Sequence, residues 1–315
     1  MLNLIRNEWM KLWHKKATWI MAGLLVLILI GVAGIGKWAQ SNMMQPENQP
    51  SGEEMLAESI AVTEAQLADP NIDKEYKKQL KENLAIMEYQ LAHNETAISP
   101  LSREQHILNS YSMLSLVLMF SVIASAGIVA TEFSQGTIKM LLSRPVKRWK
   151  ILTSKYVTTL LYALVLTFIA ITSAVIAGFI FYDAGSGIIL DVQDGTVVEV
   201  SYWGRVFALY SLQFVGVIVF TTFAFMIGSV FRTSSLAIGL SIFLLFMGPN
   251  IVYFLREYEF TKYILFTHID LTGYINGNMF VEGITWPFSV AVLLMYMLLF
   301  LFISYWSFTK RDVTA

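Results

Sequence analysis

Residues Gly31–Lys37 read GVAGIGK and match the spacing G-x-x-x-x-G-K of a phosphate-binding loop. The next residue is Trp38, where such a loop needs the Ser or Thr hydroxyl that holds magnesium. The glycines also close an apolar run of membrane-helix length, with no strand before them. We therefore expect Gly31 and Gly34 to pack helix against helix, and we expect no nucleotide site in this chain.

Other catalytic groups are scarce. The chain has no cysteine, so it has no thiolate metal site and no cysteine nucleophile. Its histidines are too scattered for a metal-binding spacing; they are His14, His93, His106 and His268. These observations predict a protein that is not an enzyme and that holds no metal or cofactor of its own.

The elements that carry these residues are mostly apolar, since 56% of the 315 residues are hydrophobic and 14% are charged. A membrane helix needs about 20 apolar residues, and six uncharged runs reach that length. They are Ala17–Gly36, Ile107–Thr131, Tyr156–Phe181, Val206–Phe231, Thr233–Leu255 and Gly283–Thr309. Arg232 marks a tight turn between the fourth and fifth spans. None of the six runs contains Asp, Glu, Lys, Arg or His, which argues against a proton-coupled transporter or an intramembrane hydrolase.

The distribution of charge predicts the orientation, although the net charge is only -1. With the N-terminus in the cytoplasm, the cytoplasmic segments hold 13 Lys and Arg, whereas the short outer loops and the flanks of the long first loop together hold 5. The positive-inside rule therefore places both termini in the cytoplasm of a bacterial cell. A near-neutral chain gives no reason to expect nucleic acid as a partner.

The connections between spans predict the domain organisation. Residues 1–36 form an amphipathic interfacial helix, which meets membrane lipids, and the first span. Residues 37–106 form an extracellular helical insertion, a hairpin in which Ser51 caps the first helix and Pro70 ends it. Residues 107–315 hold five further spans, with extracellular loops at 182–205 and 256–282. The run Thr196–Ser201 has strand-like composition, and the aromatic side chains of 256–282 favour the outer interface over a gate.

The cytoplasmic connection 132–155, EFSQGTIKMLLSRPVKRWKILTSK, is the most basic one. Its apolar residues recur at helical spacing and Pro145 breaks the helix. A short helix held beneath the membrane is a natural docking surface. From the residues alone, a positive-inside signal without a docking role explains the same pattern equally well.

The order of residues in this connection resembles the permeases of ABC-2 type transporters. Those proteins have an N-terminal amphipathic helix, six spans, and a loop after the second span with an acidic residue, Gly-Thr, a Leu pair, Pro, a basic residue and a closing Lys. The matching residues here are Glu132, Gly136, Thr137, Leu141, Leu142, Pro145, Arg148 and Lys155. The extended first extracellular loop departs from the better-known members.

The resemblance implies an all-α membrane protein that exports a substrate together with a second permease subunit and separate ATPase subunits. ATP is then used by the partner, and the loop is a coupling helix. Within it we expect Phe133, Ile138 and Leu141 to be docking contacts, and Glu132 and Arg148 to be polar anchors. The alternative is a membrane sensor or scaffold whose outer hairpin recognises a cell-envelope or peptide ligand.

Overall fold

The computed structural model describes residues 1–43, 52–69, 74–93, 98, 102–138, 140, 145–185, 187–193, 195–231, 233–277, 279, 281 and 283–310. Within them the helices are α1 (Leu2–His14), α2 (Lys16–Met43), α3 (Gly52–Leu67), α4 (Lys74–His93), α5 (Arg103–Asn109), α6 (Leu114–Ser134), α7 (Arg148–Phe181), α8 (Tyr202–Val230), α9 (Ser234–Leu255), α10 (Gly273–Asn276) and α11 (Trp286–Lys310). Short 3₁₀ turns occupy Ser110–Met113, Glu259–Tyr263 and Leu265–Thr267. Two strands, β1 (Ile189–Gln193) and β2 (Thr196–Val200), pair in antiparallel register.

Six helical segments of the described chain are long and apolar enough to cross a membrane, as predicted. They are Lys16–Ala39, Arg103–Ser134, Arg148–Phe181, Tyr202–Val230, Ser234–Leu255 and Trp286–Lys310. The second and third run past the predicted limits Thr131 and Tyr156, because a helix continues beyond the apolar run into polar sequence. The turn predicted at Arg232 lies outside the described residues.

The chain divides into two compact units. Unit 1 comprises Met1–Ile28, Ser112–Thr172 and Tyr210–Ala315, and unit 2 comprises Leu29–Tyr111 and Ser173–Leu209. Several membrane helices therefore contribute residues to both units.

In unit 1, α6 packs closely against α8. Gly228 has no room for a side chain, because a Cβ there would collide with the backbone of Ala126. The Ser125 hydroxyl also donates to the carbonyl of Thr221 at 2.8 Å. A small residue and a hydroxyl thus hold two apolar helices together where lipid supplies no hydrophobic driving force between them.

The described part of the segment 256–285 of unit 1 packs against spanning helices. Leu265 and Leu271 are buried in a cluster with Val219 of α8 and Phe300 of α11. A Cβ on Gly248 would collide with the ring of Phe266. This segment therefore packs among α8, α9 and α11, although Tyr258, Phe260 and Tyr263 remain exposed.

In unit 2, α3 and α4 pack on each other, and α4 also contacts the β1–β2 hairpin. Gln193 pairs with Thr196 at the hairpin end, where Gly195 has a φ of 78° that glycine adopts without strain. The run Thr196–Ser201, predicted to be strand-like, thus forms strand β2 over Thr196–Val200. Ser51, Pro70 and the ends of the α3–α4 connection lie outside the described residues.

The segment Gly31–Lys37 lies within α2 and is helical. A Cβ on Gly34 would stand 3.3 Å from the ring of Phe181, so this glycine packs helix against helix as expected. A Cβ on Gly31 would meet no described atom of this chain within 4 Å, so the packing role predicted for it stays a prediction.

Candidate functional site

Four charged side chains of unit 1 meet where α1, α6 and α7 come together. We call them the ion-pair cluster: Glu8, Lys11, Glu132 and Lys155. The Lys155 ammonium lies 2.7 Å from Glu8 Oε2 and 3.0 Å from Glu132 Oε1. Lys11 lies at the edge, 3.5 Å from Glu8 and 3.4 Å from Glu132. One buried lysine therefore bridges two carboxylates from different parts of the chain.

The cluster is shielded from solvent to different degrees. The exposed fraction of the side chain is 1% for Lys155, 6% for Glu8, 15% for Glu132 and 44% for Lys11. Burying a charge is costly unless it is paired and hydrogen-bonded. Lys155 is almost fully enclosed, so its charge depends on the two carboxylates, whereas Lys11 retains much of its hydration.

Local sequence explains how the three elements bring these groups together. Glu8 and Leu12 are four residues apart, so they share one face of α1, and both are buried there. Helix α6 ends at Ser134, and its backbone turns at Gly136, whose φ is 70°. The amide of Gly136 donates to the carbonyl of Phe133 at 3.1 Å, which closes the helix end.

The chain that follows the turn is attached to the same cluster. The Thr137 hydroxyl donates a short hydrogen bond to Glu132 Oε2, and Lys155 donates to the other oxygen, Oε1. Glu132 thus fixes both the residue after the α6 turn and the third turn of α7, where Lys155 lies. The carboxylate of Glu132, which itself belongs to the connection 132–155, therefore fixes the position of that connection.

A cavity of about 570 Å³ lies beside the cluster. Its lining comprises Asn7, Glu8, Met10, Lys11, Leu12, His14, Lys15, Ile128, Thr131, Glu132, Gln135, Thr137 and Lys155. Partial burial lowers the pKa of Lys15 from its usual value, and the positive charge of Lys155 lowers it further. The carboxylates of Glu132 and Glu8 act in the opposite direction without reversing this shift.

The residues predicted as docking contacts are partly used inside the chain. Ile138 is 4% exposed and belongs to a buried cluster with Ile151, Leu152 and Phe225. Phe133 packs against that cluster, with its ring edge-on to Phe308 at a centroid distance of 6.3 Å. In this arrangement Ile138 has no surface for a partner, because its side chain completes the core of unit 1.

The other predicted residues divide between described and undescribed parts of the chain. Leu141 and Leu142 lie outside the described residues. Pro145 is exposed and lies three residues before α7 begins at Arg148. The Arg148 guanidinium donates to the carbonyl of Thr309 at 3.2 Å, so it holds the start of α7 against the end of α11. Met140, which was not predicted, is 75% exposed.

Sequence reasoning missed Glu8 and the pairing of Lys155. Glu8 is the only acidic residue among residues 1–16, which also hold Arg6, Lys11, Lys15 and Lys16. A lone acidic residue in a basic amphipathic helix is a signal that could have been used. Its partner could not have been identified, because Lys155 is 147 residues away along the chain.

Comparisons with known proteins agree with the membrane architecture. A family model described as "Protein of unknown function (DUF2705)" matches residues 77–314. A Bacillus subtilis protein, "Uncharacterized protein YhcI", is 35% identical over 99% of both chains. Another, "Uncharacterized membrane protein YdbK" of the same organism, is 28% identical over 64% of this chain and 80% of its own length. Together with the six apolar helices, these matches describe a multi-pass membrane protein.

Proposed function

The chain belongs to the DUF2705 family, and we propose that it is the membrane-spanning subunit of an ABC-2 type exporter. In this proposal it forms the translocation pathway with a second permease subunit, either a copy of itself or a different chain. A separate ATPase subunit hydrolyses the ATP. Both termini and the connection 132–155 face the cytoplasm of a bacterial cell, and the α3–α4 hairpin faces outward.

The ion-pair cluster is the observation that carries the proposal. It joins α1 to both ends of the connection 132–155 through Glu8, Glu132 and Lys155. A force applied to this connection by a partner is therefore transmitted directly to α1, α6 and α7. Such a rigid joint is what a coupling element needs, because a mobile loop would absorb the movement instead of passing it to the spans.

The distribution of charge supports the orientation. The segments that bear the cluster are also the most basic ones of the chain, with four Lys and Arg in residues 1–16 and six in residues 132–155. The positive-inside rule places such segments in the cytoplasm, where an ATPase subunit has access to ATP.

Exposed residues of the connection provide the docking surface in this proposal. Met140 is 75% exposed and Trp149 is 46% exposed, and the two lie on either side of Pro145. Closure of the ATPase dimer on ATP then biases the spans between two states through a contact on another chain. Ile138 supports this surface from within the core and does not touch the partner.

The test is to purify the tagged chain from its own host and to measure how much of an ATPase subunit is recovered with it. The variant Met140→Asp puts a charge into the proposed contact, and an unpaired charge in a desolvated contact is costly. We expect the recovery of ATPase to fall at least tenfold at unchanged permease level. The control Tyr258→Asp alters an exposed aromatic residue on the other side of the membrane and leaves the recovery unchanged.

A membrane sensor or scaffold makes the opposite prediction. Its partner is a signalling protein such as a kinase, and its recognition surface is the outer hairpin. Full ATPase recovery with Met140→Asp, or recovery of a kinase in place of an ATPase, contradicts the exporter proposal.

A further inference from the structure

The cavity beside the ion-pair cluster has an unbalanced positive charge. Five lining residues are of types that carry a full charge: Lys11, Lys15, Lys155, Glu8 and Glu132. Three cations face two carboxylates, and both carboxylates are already engaged by Lys155 and Lys11. Among the described charged residues of this lining, Lys15 is thus the one without an ion pair within 4.0 Å. An anion in the cavity restores the balance.

The position of Lys15 in the chain fixes its depth in the membrane. It is the single residue between the end of α1 at His14 and the start of the spanning helix at Lys16. The first residue before a spanning helix lies at the level of the lipid headgroups.

Aromatic side chains of the same region mark the same level. The indole rings of Trp9, Trp13 and Trp19 lie in series, with centroid distances of 5.6 and 5.1 Å. Tryptophan concentrates at the boundary between hydrocarbon and water. Trp19 is 64% exposed and its Nε1 donates to the carbonyl of Trp13, so the point where α1 meets α2 is held at this boundary.

We infer that this cavity binds the phosphate group of an anionic phospholipid, with the Lys15 ammonium as the main cationic contact. Asn7 and Gln135 also line the cavity, and a side-chain amide is a group that can donate to phosphate oxygens. The exposed apolar side chains of Met10 and Ile20 lie on the adjoining α1 and α2, where acyl chains can pack. This site does not depend on the proposed ATPase partner.

The test measures lipid retention by native mass spectrometry of the purified chain in detergent with equal amounts of phosphatidylglycerol and phosphatidylcholine. We expect the wild type to retain one more phosphatidylglycerol molecule than Lys15→Gln, with about fivefold weaker binding in the variant. Lys16→Gln is the matched control, because it removes the same charge one residue away but does not line the cavity. Lys15→Arg retains the charge and restores binding.

Two results overturn the inference. Equal loss of phosphatidylglycerol from Lys15→Gln and Lys16→Gln shows a general charge effect without a site. If the ligand is a lipid, inorganic phosphate alone does not raise the thermal stability of the wild type. If inorganic phosphate does raise that stability, and Lys15→Gln abolishes the effect, the cavity binds a soluble phosphate instead. A gain in thermal stability with phosphatidylglycerol vesicles but not with inorganic phosphate, lost only in Lys15→Gln, supports the lipid.

Discussion

Lys155 is the residue on which the ion-pair cluster depends, because it bridges Glu8 and Glu132 while only 1% exposed. Its replacement by Met leaves two largely buried carboxylates with only the half-exposed Lys11 beside them. Breaking a buried ion pair by removing one partner costs about 3–5 kcal/mol. We therefore expect Lys155→Met to lower the free energy of unfolding by about that amount, measured as thermal or denaturant unfolding in detergent.

The matched control for this change is Lys147→Met, which alters an exposed lysine of the same connection. It should change the free energy of unfolding by less than about 0.5 kcal/mol. The triple variant with Glu8→Gln and Glu132→Gln added to Lys155→Met should recover part of the loss, because no buried charge is left unpaired and Lys11, at 44% exposed, remains hydrated. Equal stability of the Lys155 and Lys147 variants contradicts the account of the cluster.

His268 is a second buried ionisable residue, and its hydrogen bonds fix its tautomer. Nε2 faces the carbonyl of Lys262 at 2.8 Å and must carry the proton, so Nδ1 accepts from the Ser289 hydroxyl at 2.7 Å. The Tyr274 hydroxyl lies 2.6 Å from Ser289 and donates to it in turn. Burial lowers the pKa of His268 below its usual value of 6.5. The neutral imidazole is therefore the form that the fold holds.

This lowered pKa predicts how stability depends on pH. Below pH of about 6.5 the unfolded chain binds a proton that the folded imidazole does not, so the free energy of unfolding falls as the pH decreases. The decrease ends once the pH passes the pKa of the folded state. The variant His268→Asn should lose this part of the pH dependence between pH 7.5 and 5, measured by thermal unfolding. An identical pH profile for both proteins contradicts the assignment.

Among the elements, the contact between α6 and α8 makes a sharp prediction. A Cβ on Gly228 collides with the backbone of Ala126, whereas one on Gly239 of α9 meets nothing within 4 Å. Gly228→Ala should therefore separate the two helices and reduce thermal stability by a typical overpacking cost of about 1–3 kcal/mol. Gly239→Ala should be neutral or stabilising by up to about 1 kcal/mol, because alanine favours a helix more than glycine does. Equal effects of the two substitutions contradict this packing.

The sequence was sufficient to predict the membrane helices, because an apolar run of about 20 residues has few alternatives to a spanning helix. It was insufficient for the helix ends. The apolar run stops at Thr131, yet α6 continues to Ser134, because backbone hydrogen bonds continue into polar sequence. Glu132 was for this reason assigned to a loop.

The candidate site depended on contacts that no local pattern contains. The spacing of Ile138 is the same whether its side chain faces a partner or the core of its own chain, and the structure places it in the core. Glu8 and Lys155 meet only after α1 and α7 have packed. Gly216 and Gly248 were likewise unexplained by sequence, and each accommodates the folded segment 256–285, at Ile269 and Phe266 respectively.

At the scale of the whole molecule, the proposed orientation predicts which positions a membrane-impermeant thiol reagent reaches. The chain contains no cysteine, so an introduced cysteine is the sole target. Glu82→Cys in α4 should react in intact cells, and Lys147→Cys in the connection 132–155 should react only after permeabilisation. Labelling of Lys147→Cys in intact cells would show the opposite orientation, in which the docking surface does not face the cytoplasm.

The central claim is that the connection 132–155 docks on an ATPase subunit, and a crosslink from Met140 tests it most directly. A thiol-reactive photocrosslinker attached to Met140→Cys reports whatever lies against this exposed position in the membrane of living cells, and mass spectrometry identifies the product. We predict one crosslinked product with an ATPase that contains a complete phosphate-binding loop, and no such product from Tyr258→Cys. A crosslink from Met140→Cys to lipid alone, or to a protein without an ATPase site, contradicts the account.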